Sequence, residues 1–358
     1  MAVGAALAAT IAGCGSTGTT STGSPAPSIP TPPAASLVGA GSTFDKPVFD
    51  AAFFAYNQKF SQVQINYQSI GSGAGIKQFD SGTVDFGATD VPAKDADLPT
   101  VGGTNTLQIP VVLGTVGLAY HISGVADGQL KLTPATICGI VLGKITTWND
   151  PALKADNAGV SLPSTKIAFV HRLDGSGTTY IFSDYLSKVC PDFKAQVGVG
   201  KSLQWPAGIG AKGNEAVAST VQGTPDSIGY VELAYILQTG MTQAKLKNHD
   251  GNFVLPSPDG ATAAANSVPN PDATNFSIVD APGAASAPIS GYSWVLLLKS
   301  QKDATKGRAL VDLLYWLADT GQQYAGQVKY APLPAAIRQK DLTLLKSVTG
   351  PDGKAFIS

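Results

Sequence analysis

Charge is scarce in this sequence: Asp, Glu, Lys and Arg make up 14% of its 358 residues, and the formal net charge is −1. No basic run or stripe is available to neutralise a phosphate backbone, which removes the electrostatic case for binding nucleic acid. A broad positive surface that could steer anions is missing too, so any anion held by this chain is held by local geometry. Histidine is almost absent, and His121, His171 and His249 are scattered without metal-ligand spacing to any of the 3 cysteines. There is no Walker loop: Gly200-Lys201-Ser202 imitates its end, but Ala195 stands where the upstream glycine is required. No serine carries the flanking glycines of a nucleophile elbow. His171 is a poor base for Ser176, because it adjoins Arg172 and successive strand residues face opposite sides. The expectation is a protein that is not an enzyme and needs no metal or other cofactor.

The first fourteen residues, "MAVGAALAATIAGC", are apolar but too short to span a bilayer. They read as the apolar core of a secretory signal peptide. Residues 11–14, "IAGC", resemble the bacterial lipobox, in which Cys14 would be lipidated and become the mature N-terminus. The basic stretch expected ahead of such a core is missing, since the first Lys or Arg is Lys46. An ordinary signal peptide with an incidental cysteine is the alternative. Residues 15–36, "GSTGTTSTGSPAPSIPTPPAAS", cannot bury enough surface to fold and read as a flexible tether stiffened by proline. Stable anchoring at a membrane takes more than one acyl chain. Cys138 and Cys190 remain, an even pair that in an exported chain suggests a disulfide; two buried free thiols are the other reading.

Folded sequence is expected from about Leu37. "SLVGAG" (36–41) reads as a strand, followed by a helix with Pro47 in its first turn and Val48, Phe49, Ala52, Phe53, Tyr56 and Phe60 at helical spacing. "VQINYQSI", "VDFGATD", "KIAFVHR" and "SIGYVEL" read as further strands, and "IPVVLGTVGLAYHI" (109–122) as one long buried strand crossing between domains. Thr133 and Pro134 open a helix, residues 256–288 read as a Pro/Ala/Asn-rich connection, "YSWVLLLK" as a buried strand, and residues 306–326 as the closing amphipathic helix. Strands alternating with helices predict α/β layers with mostly parallel sheets, in two lobes. Ligands of such folds bind at the carboxyl ends of strands, beside helix N-termini.

Three segments share one grammar of strand, small-residue loop and helix: Gly41-Ser42-Thr43-Phe44, Gly71-Ser72-Gly73-Ala74-Gly75 and Gly175-Ser176-Gly177-Thr178-Thr179. Glycine lets backbone amides approach a ligand, hydroxyls add neutral donors, and a helix start adds unpaired N–H groups. Together the three describe an oxyanion cage. Arg172 offers a planar fork of donors, and Asp174 can hold that fork in place. Asp90, on the polar tip of "VDFGATD", is the odd member, because a carboxylate repels an anion unless the anion still carries a proton. Hydrogen phosphate does at neutral pH and sulfate does not, so an obligatory acceptor here could discriminate by about 10⁴–10⁵-fold. Asp85 reads as structural, and Trp148 and Trp205 as packing residues.

In order and spacing, "GAGSTF", "YQSIGSGAGIKQF", "VDFGATD", "LGKITTWND", "RLDGSGTTYIF", "GNEAVA" and "SIGYVE" resemble the periplasmic phosphate-binding proteins of phosphate-specific ABC transporters. The resemblance covers nearly all of residues 37–358. It implies a type II periplasmic-binding-protein fold, two α/β lobes joined by a hinge, with residues 37–112 and 290–358 in lobe I and 113–289 in lobe II. It further implies that Thr43 donates through hydroxyl and amide, Phe44 through its amide, and Ser72 through its hydroxyl. Asp90 would accept the phosphate proton, Arg172 bind oxygen with Asp174 orienting it, and Ser176, Gly177 and Thr178 donate from the third loop. "GSGAG" stands where the family is richer in serine, and Cys138 and Cys190 fall outside its pattern. The implied protein is a monomeric extracytoplasmic receptor, lipid-anchored to the cell membrane, that hands phosphate to ABC permease subunits. A receptor for arsenate or sulfate, and a secreted phosphatase-like hydrolase, are the competing readings.

Overall fold

The computed structural model describes Met1 and residues 31–357. Cys14, the rest of the apolar leader and the tether as far as residue 30 lie outside the described residues. Strand β1 (Ala35–Gly41) starts before its apolar pattern does, because Ala35 and Ser36 pair through the backbone with Val63 and Gln64 of β2 (Val63–Ser69). The tether therefore ends short of residue 36, and the Pro32 carbonyl already accepts a bond from the Gln62 side chain.

Helix α1 (Lys46–Lys59) follows β1 and lays Phe49 and Phe53 against Tyr67 and Phe86. Helix α2 (Ser72–Asp80) follows β2, and β3 (Phe86–Thr89) ends at Asp90. Strand β4 (Thr106–His121) runs unbroken and almost wholly buried through the molecule. Helix α3 (Pro134–Val141) is capped by Thr133, whose hydroxyl accepts from the Thr136 amide. Then come β5 (Ala168–Arg172), α4 (Gly177–Val189), β6 (Ile209–Ala211), α5 (Gly213–Gly223), β7 (Ser227–Glu232) and α6 (Leu233–Thr239). The chain closes with β8 (Ser290–Leu298), α7 (Ala304–Ala318) and α8 (Ala335–Leu345). Several helices had no place in the sequence reading, and the longest of them are Pro258–Ala265 and α8. Pro258–Ala265 is helical inside the supposed connection, capped by Ser257, with Ala261, Ala264 and Ala265 buried against Leu113 and Trp294. Helix α8 lies beyond the helix expected to close the fold.

The main sheet has the order β2-β1-β3-β8-β4-β7-β5-β6, with Thr242–Gln243 pairing onto β4. Pairing is parallel at β2-β1-β3 and at β7-β5-β6, but antiparallel at β3-β8, β8-β4 and β4-β7. The expectation of mostly parallel sheets is therefore corrected at the centre. The reason is β4, which pairs with β8 up to Thr115 and with β7 from Val116. Because β1 to β3 run with β4 and β5 to β7 run against it, the carboxyl ends of the two groups face each other across its middle. Separate apolar clusters serve the two sides, one around Phe79, Leu98 and Leu296 and another around Val170, Val217 and Val231. Cys138 of α3 and Cys190, just past α4, are joined as a disulfide with Cα atoms 6.3 Å apart.

Candidate functional site

The three small-residue turns meet where those carboxyl ends face. Helix α2 begins at Ser72, inside the glycine stretch that the sequence suggested was loop. Its glycines serve close approach: a Cβ on Gly75 would lie 2.3 Å from the Gly41 Cα, so the first turn of α2 rests directly on the end of β1. The Gly73 amide donates to the Gly175 carbonyl at 2.8 Å, joining the second turn to the third across the two strand groups. Ser176 caps α4, its hydroxyl accepting from the Thr179 amide at 3.0 Å, a bond worth about 1 kcal/mol. The Ser176 amide is bonded to the Lys201 carbonyl at 2.8 Å.

Asp90 sits at the meeting point and is 2% exposed. Its Oδ1 accepts from the hydroxyls of Ser42 and of Ser293, the latter at 2.7 Å. The Ser72 hydroxyl oxygen accepts from the amides of Asp90 and Gly177, at 3.3 and 3.1 Å, which leaves its proton free to donate. A Cβ on Gly177 would fall 2.4 Å from Asp90 Oδ2, so only glycine lets the start of α4 approach this carboxylate. Burial raises the Asp90 pKa to about 6, against the pull of the Ser293 and Ser42 hydroxyls and the Arg172 charge. Asp90 is thus mainly ionised at neutral pH and half protonated near pH 6.

Arg172 ends β5 with its side chain 1% exposed. Its Nε and Nη2 donate to the two oxygens of Asp174 at 2.7 and 2.5 Å, a bidentate pair that fixes the guanidinium plane. Nη1 reaches only Thr178 Oγ1, at 3.4 Å. Burial alone would raise Asp174, yet the bonds and charge of Arg172 and the Gly213 amide hold it below the usual carboxylate value. Tyr230 braces the base of the arginine, its hydroxyl accepting from the Arg172 amide at 2.9 Å. Thr43 Oγ1 accepts from the Asn214 amide and side chain at 3.1 and 2.9 Å, and Asn214 Nδ2 also donates to Thr178 Oγ1 at 3.1 Å. With acceptor positions filled, the Thr43 hydroxyl has its proton left to give.

Phe44 is a partial correction. Its amide, expected to donate into the cage, donates to Ser42 Oγ at 2.9 Å, because a serine hydroxyl readily reaches the backbone two residues on. Ser42, Asp45, Asn214, Tyr230 and Ser293 were not singled out from the sequence. Ser42, Asn214 and Tyr230 lie inside quoted motifs, and Ser293 is a small hydroxyl in a buried strand that also carries Ser290 and Tyr292. Asp45 is fully buried, and neither carboxylate oxygen has a hydrogen-bond partner among the described residues. Burial and the facing Asp90 push its pKa well up, only partly offset by the neighbouring Ser293 hydroxyl.

His171 takes no part. Its ring stacks on Trp205 with centroids 5.3 Å apart, and burial lowers its pKa. Trp148 is fully buried and donates to the Asp226 carbonyl, while Asp85 accepts from the Val38 amide and Lys306. No three His, Cys, Asp or Glu side chains converge as a metal site among the described residues. A cavity of about 800 Å³, lined by Cys138, Lys144, Asp192 and His249, lies elsewhere, beside the disulfide. The geometry around Asp90 is that of a buried, donor-rich cage built around a carboxylate acceptor, suited to a small protonated oxyanion.

Known proteins are similar to this chain over most of its length. A PBP superfamily domain matches residues 26–320. The phosphate-binding protein PstS of Xylella fastidiosa strain 9a5c is 43% identical over 312 residues, covering 85% of each chain. That of Methanocaldococcus jannaschii is 34% identical over 306 residues, covering 79% of this chain and 78% of its own. The solved phosphate-binding protein of Stenotrophomonas maltophilia superposes with a TM-score of 0.70 at 20% identity, over 91% of this chain and 99% of its own. A high-affinity periplasmic phosphate-binding protein, PfluDING, solved with phosphate bound, gives 0.71 at 20% identity over 88% and 99%. The fold is the type II periplasmic-binding-protein fold, and the chain belongs to the PBP superfamily, in the family of the PstS phosphate-binding proteins.

Proposed function

We propose that this chain is an extracytoplasmic receptor that captures inorganic phosphate and delivers it to an ABC permease, without any covalent step. The observation that carries the reading is Asp90, an acid buried among donors from three converging turns and facing Arg172. Phosphate oxygens take the hydroxyls of Thr43 and Ser72, the Arg172 guanidinium and the Thr178 amide, while the phosphate proton goes to Asp90; the Gly177 amide, expected among the donors, is held by Ser72 Oγ. Submicromolar binding corresponds to more than about 8 kcal/mol, which several charge-assisted bonds in a water-free cage can supply. The lobes follow from the partner exchange along β4: residues up to about 115, with those from 290 onward, form one, and the segment between forms the other. Phosphate favours the closed arrangement by bridging both.

Titration calorimetry at pH 7.5 is expected to show tight phosphate binding that persists in millimolar sulfate. Displacement by sulfate at that pH would remove the acceptor role given to Asp90. Arsenate, which carries a proton of the same kind, is expected to compete. The lipid anchor is part of the same proposal: Cys14 is acylated and holds the domain at the membrane through the tether. Mass measurement of detergent-extracted protein is expected to show a modified N-terminal Cys14 peptide, and recovery of only unmodified chain would refute the anchor.

A further inference from the structure

The loop between β1 and α1 presents three successive carbonyls, and a different tyrosine hydroxyl donates to each. Tyr67 donates to Ser42 O at 2.7 Å, Tyr235 to Thr43 O at 2.6 Å and Tyr330 to Phe44 O at 2.6 Å. The phenols come from separate places: Tyr67 from β2, Tyr235 from α6, and Tyr330 from the segment between the short helix Gln323–Gln327 and α8. We infer that Tyr67, Tyr235 and Tyr330 are positioning residues for the anion site, clamping these carbonyls so that the next three amides, those of Thr43, Phe44 and Asp45, turn toward the cage. The inference rests on the phosphate reading above and adds to it the source of the first loop's orientation.

The geometry behind it is elementary. A trans peptide unit is planar, with its N–H directed opposite to its C=O, and no cis bond occurs among the described residues. Fixing three consecutive carbonyls therefore fixes the direction of the three amides that share their peptide planes. The Phe44 amide does face the cage, since its acceptor, Ser42 Oγ, is itself bonded to Asp90. All three phenols stay protonated, because burial raises each of them. Two also touch carboxyl groups: Tyr330 lies 2.8 Å from Glu232 Oε2, and Tyr235 lies 3.1 Å from Glu215 Oε1. A carbonyl has no proton to give, so a phenol that donates to Phe44 O leaves the Glu232 contact to be closed by a proton on that carboxyl. Glu232 fits this, being fully buried and raised well above its ordinary value by that burial.

Tyr235 differs from the other two in origin. It follows β7, whereas the loop it grips follows β1, in the opposing strand group. Asn214, also from the opposing side, holds the side chain of the same residue, Thr43. Docking of the two sides thus sets both the hydroxyl and the carbonyl of Thr43. Closure completes the first loop of the site as well as covering it.

Tyr→Phe substitution removes only the hydroxyl and keeps the ring, and Tyr67 and Tyr235 are half-buried, so their variants have room to fold. Stopped-flow phosphate binding would be measured on the wild-type chain and on Tyr67→Phe, Tyr235→Phe and Tyr330→Phe, with urea midpoints of the ligand-free proteins as the folding control. Tyr235→Phe is expected to raise the dissociation rate about tenfold with little change in association, since its bond forms as the halves meet. Tyr67→Phe is expected to weaken binding by a similar factor. In amide NMR spectra, the phosphate-induced shifts of Thr43, Phe44 and Asp45 are expected to shrink in each variant, a change that mere loss of stability would not produce. Wild-type kinetics and wild-type amide shifts in both folded variants would overturn the clamp while leaving phosphate binding intact. Failure of the wild-type chain itself to bind phosphate would overturn the underlying reading and the clamp with it.

Discussion

Asp90 combines two demands that normally conflict, being buried and being ionised. Its pKa, raised from 3.8 to about 6, means that the ionised form costs stability above pH 6 and that this cost is relieved as pH falls from 6 toward 3.8. On the role proposed for Asp90, selectivity is expected to follow the same titration: the ionised carboxylate accepts and rejects a proton-free anion, and as it protonates the rejection weakens. Sulfate is therefore expected to compete with phosphate measurably at pH 5 and negligibly at pH 8, as read by calorimetric displacement; a pH-independent ratio would contradict the role of Asp90. Asp90 and Arg172 were legible as polar residues at the ends of strands, where such a fold binds ligands. Their supports were not. Ser293 bonds Asp90 across a separation of 203 residues and Asn214 bonds Thr43 across 171, and no local pattern encodes a contact of that range.

Elements were more legible than their pairings. The starts of α1, α3 and α4 carry proline in the first turn or hydroxyl caps, signals that reside in a few adjacent residues. Strand direction is a property of two strands together, which is why the antiparallel centre was not readable from either partner. Composition misled for Pro258–Ala265, where alanines on one face found an apolar wall that the local sequence does not reveal. The glycines of α2 were read as a loop that lets backbone amides approach a ligand, whereas Gly75 is required by the distance between two backbones. Gly75→Ala would place a methyl group 2.3 Å from Gly41 Cα and 2.6 Å from Ala40 O, with backbone on both sides unable to yield. A loss of about 3 kcal/mol in urea unfolding is expected. Gly223→Ala at the end of α5, with nothing within 4 Å of the added carbon, is the control and should be neutral or mildly stabilising.

At the scale of the molecule, the two sides share β4, and further bonds join them at the site. The Lys201–Asp97 pair, 3.4 Å apart and partly exposed, contributes no more than about 1 kcal/mol. The buried bonds of Gly177 to Ser72 and Asn214 to Thr43, with the half-buried bond of Gly73 to Gly175, do more, and each involves a residue of the proposed anion cage. Strand β8 adds a different constraint. It enters the sheet between β3 and β4, although some 170 residues separate it from the end of β4 along the chain. Until Ser290 to Leu298 take their place, β3 and β4 each keep a bare hydrogen-bonding edge, whereas β4, β5, β6 and β7 can already assemble. The later segment of the polypeptide is thus the one able to mature first, and the amino-terminal portion waits for a distant strand before its own sheet can be sealed.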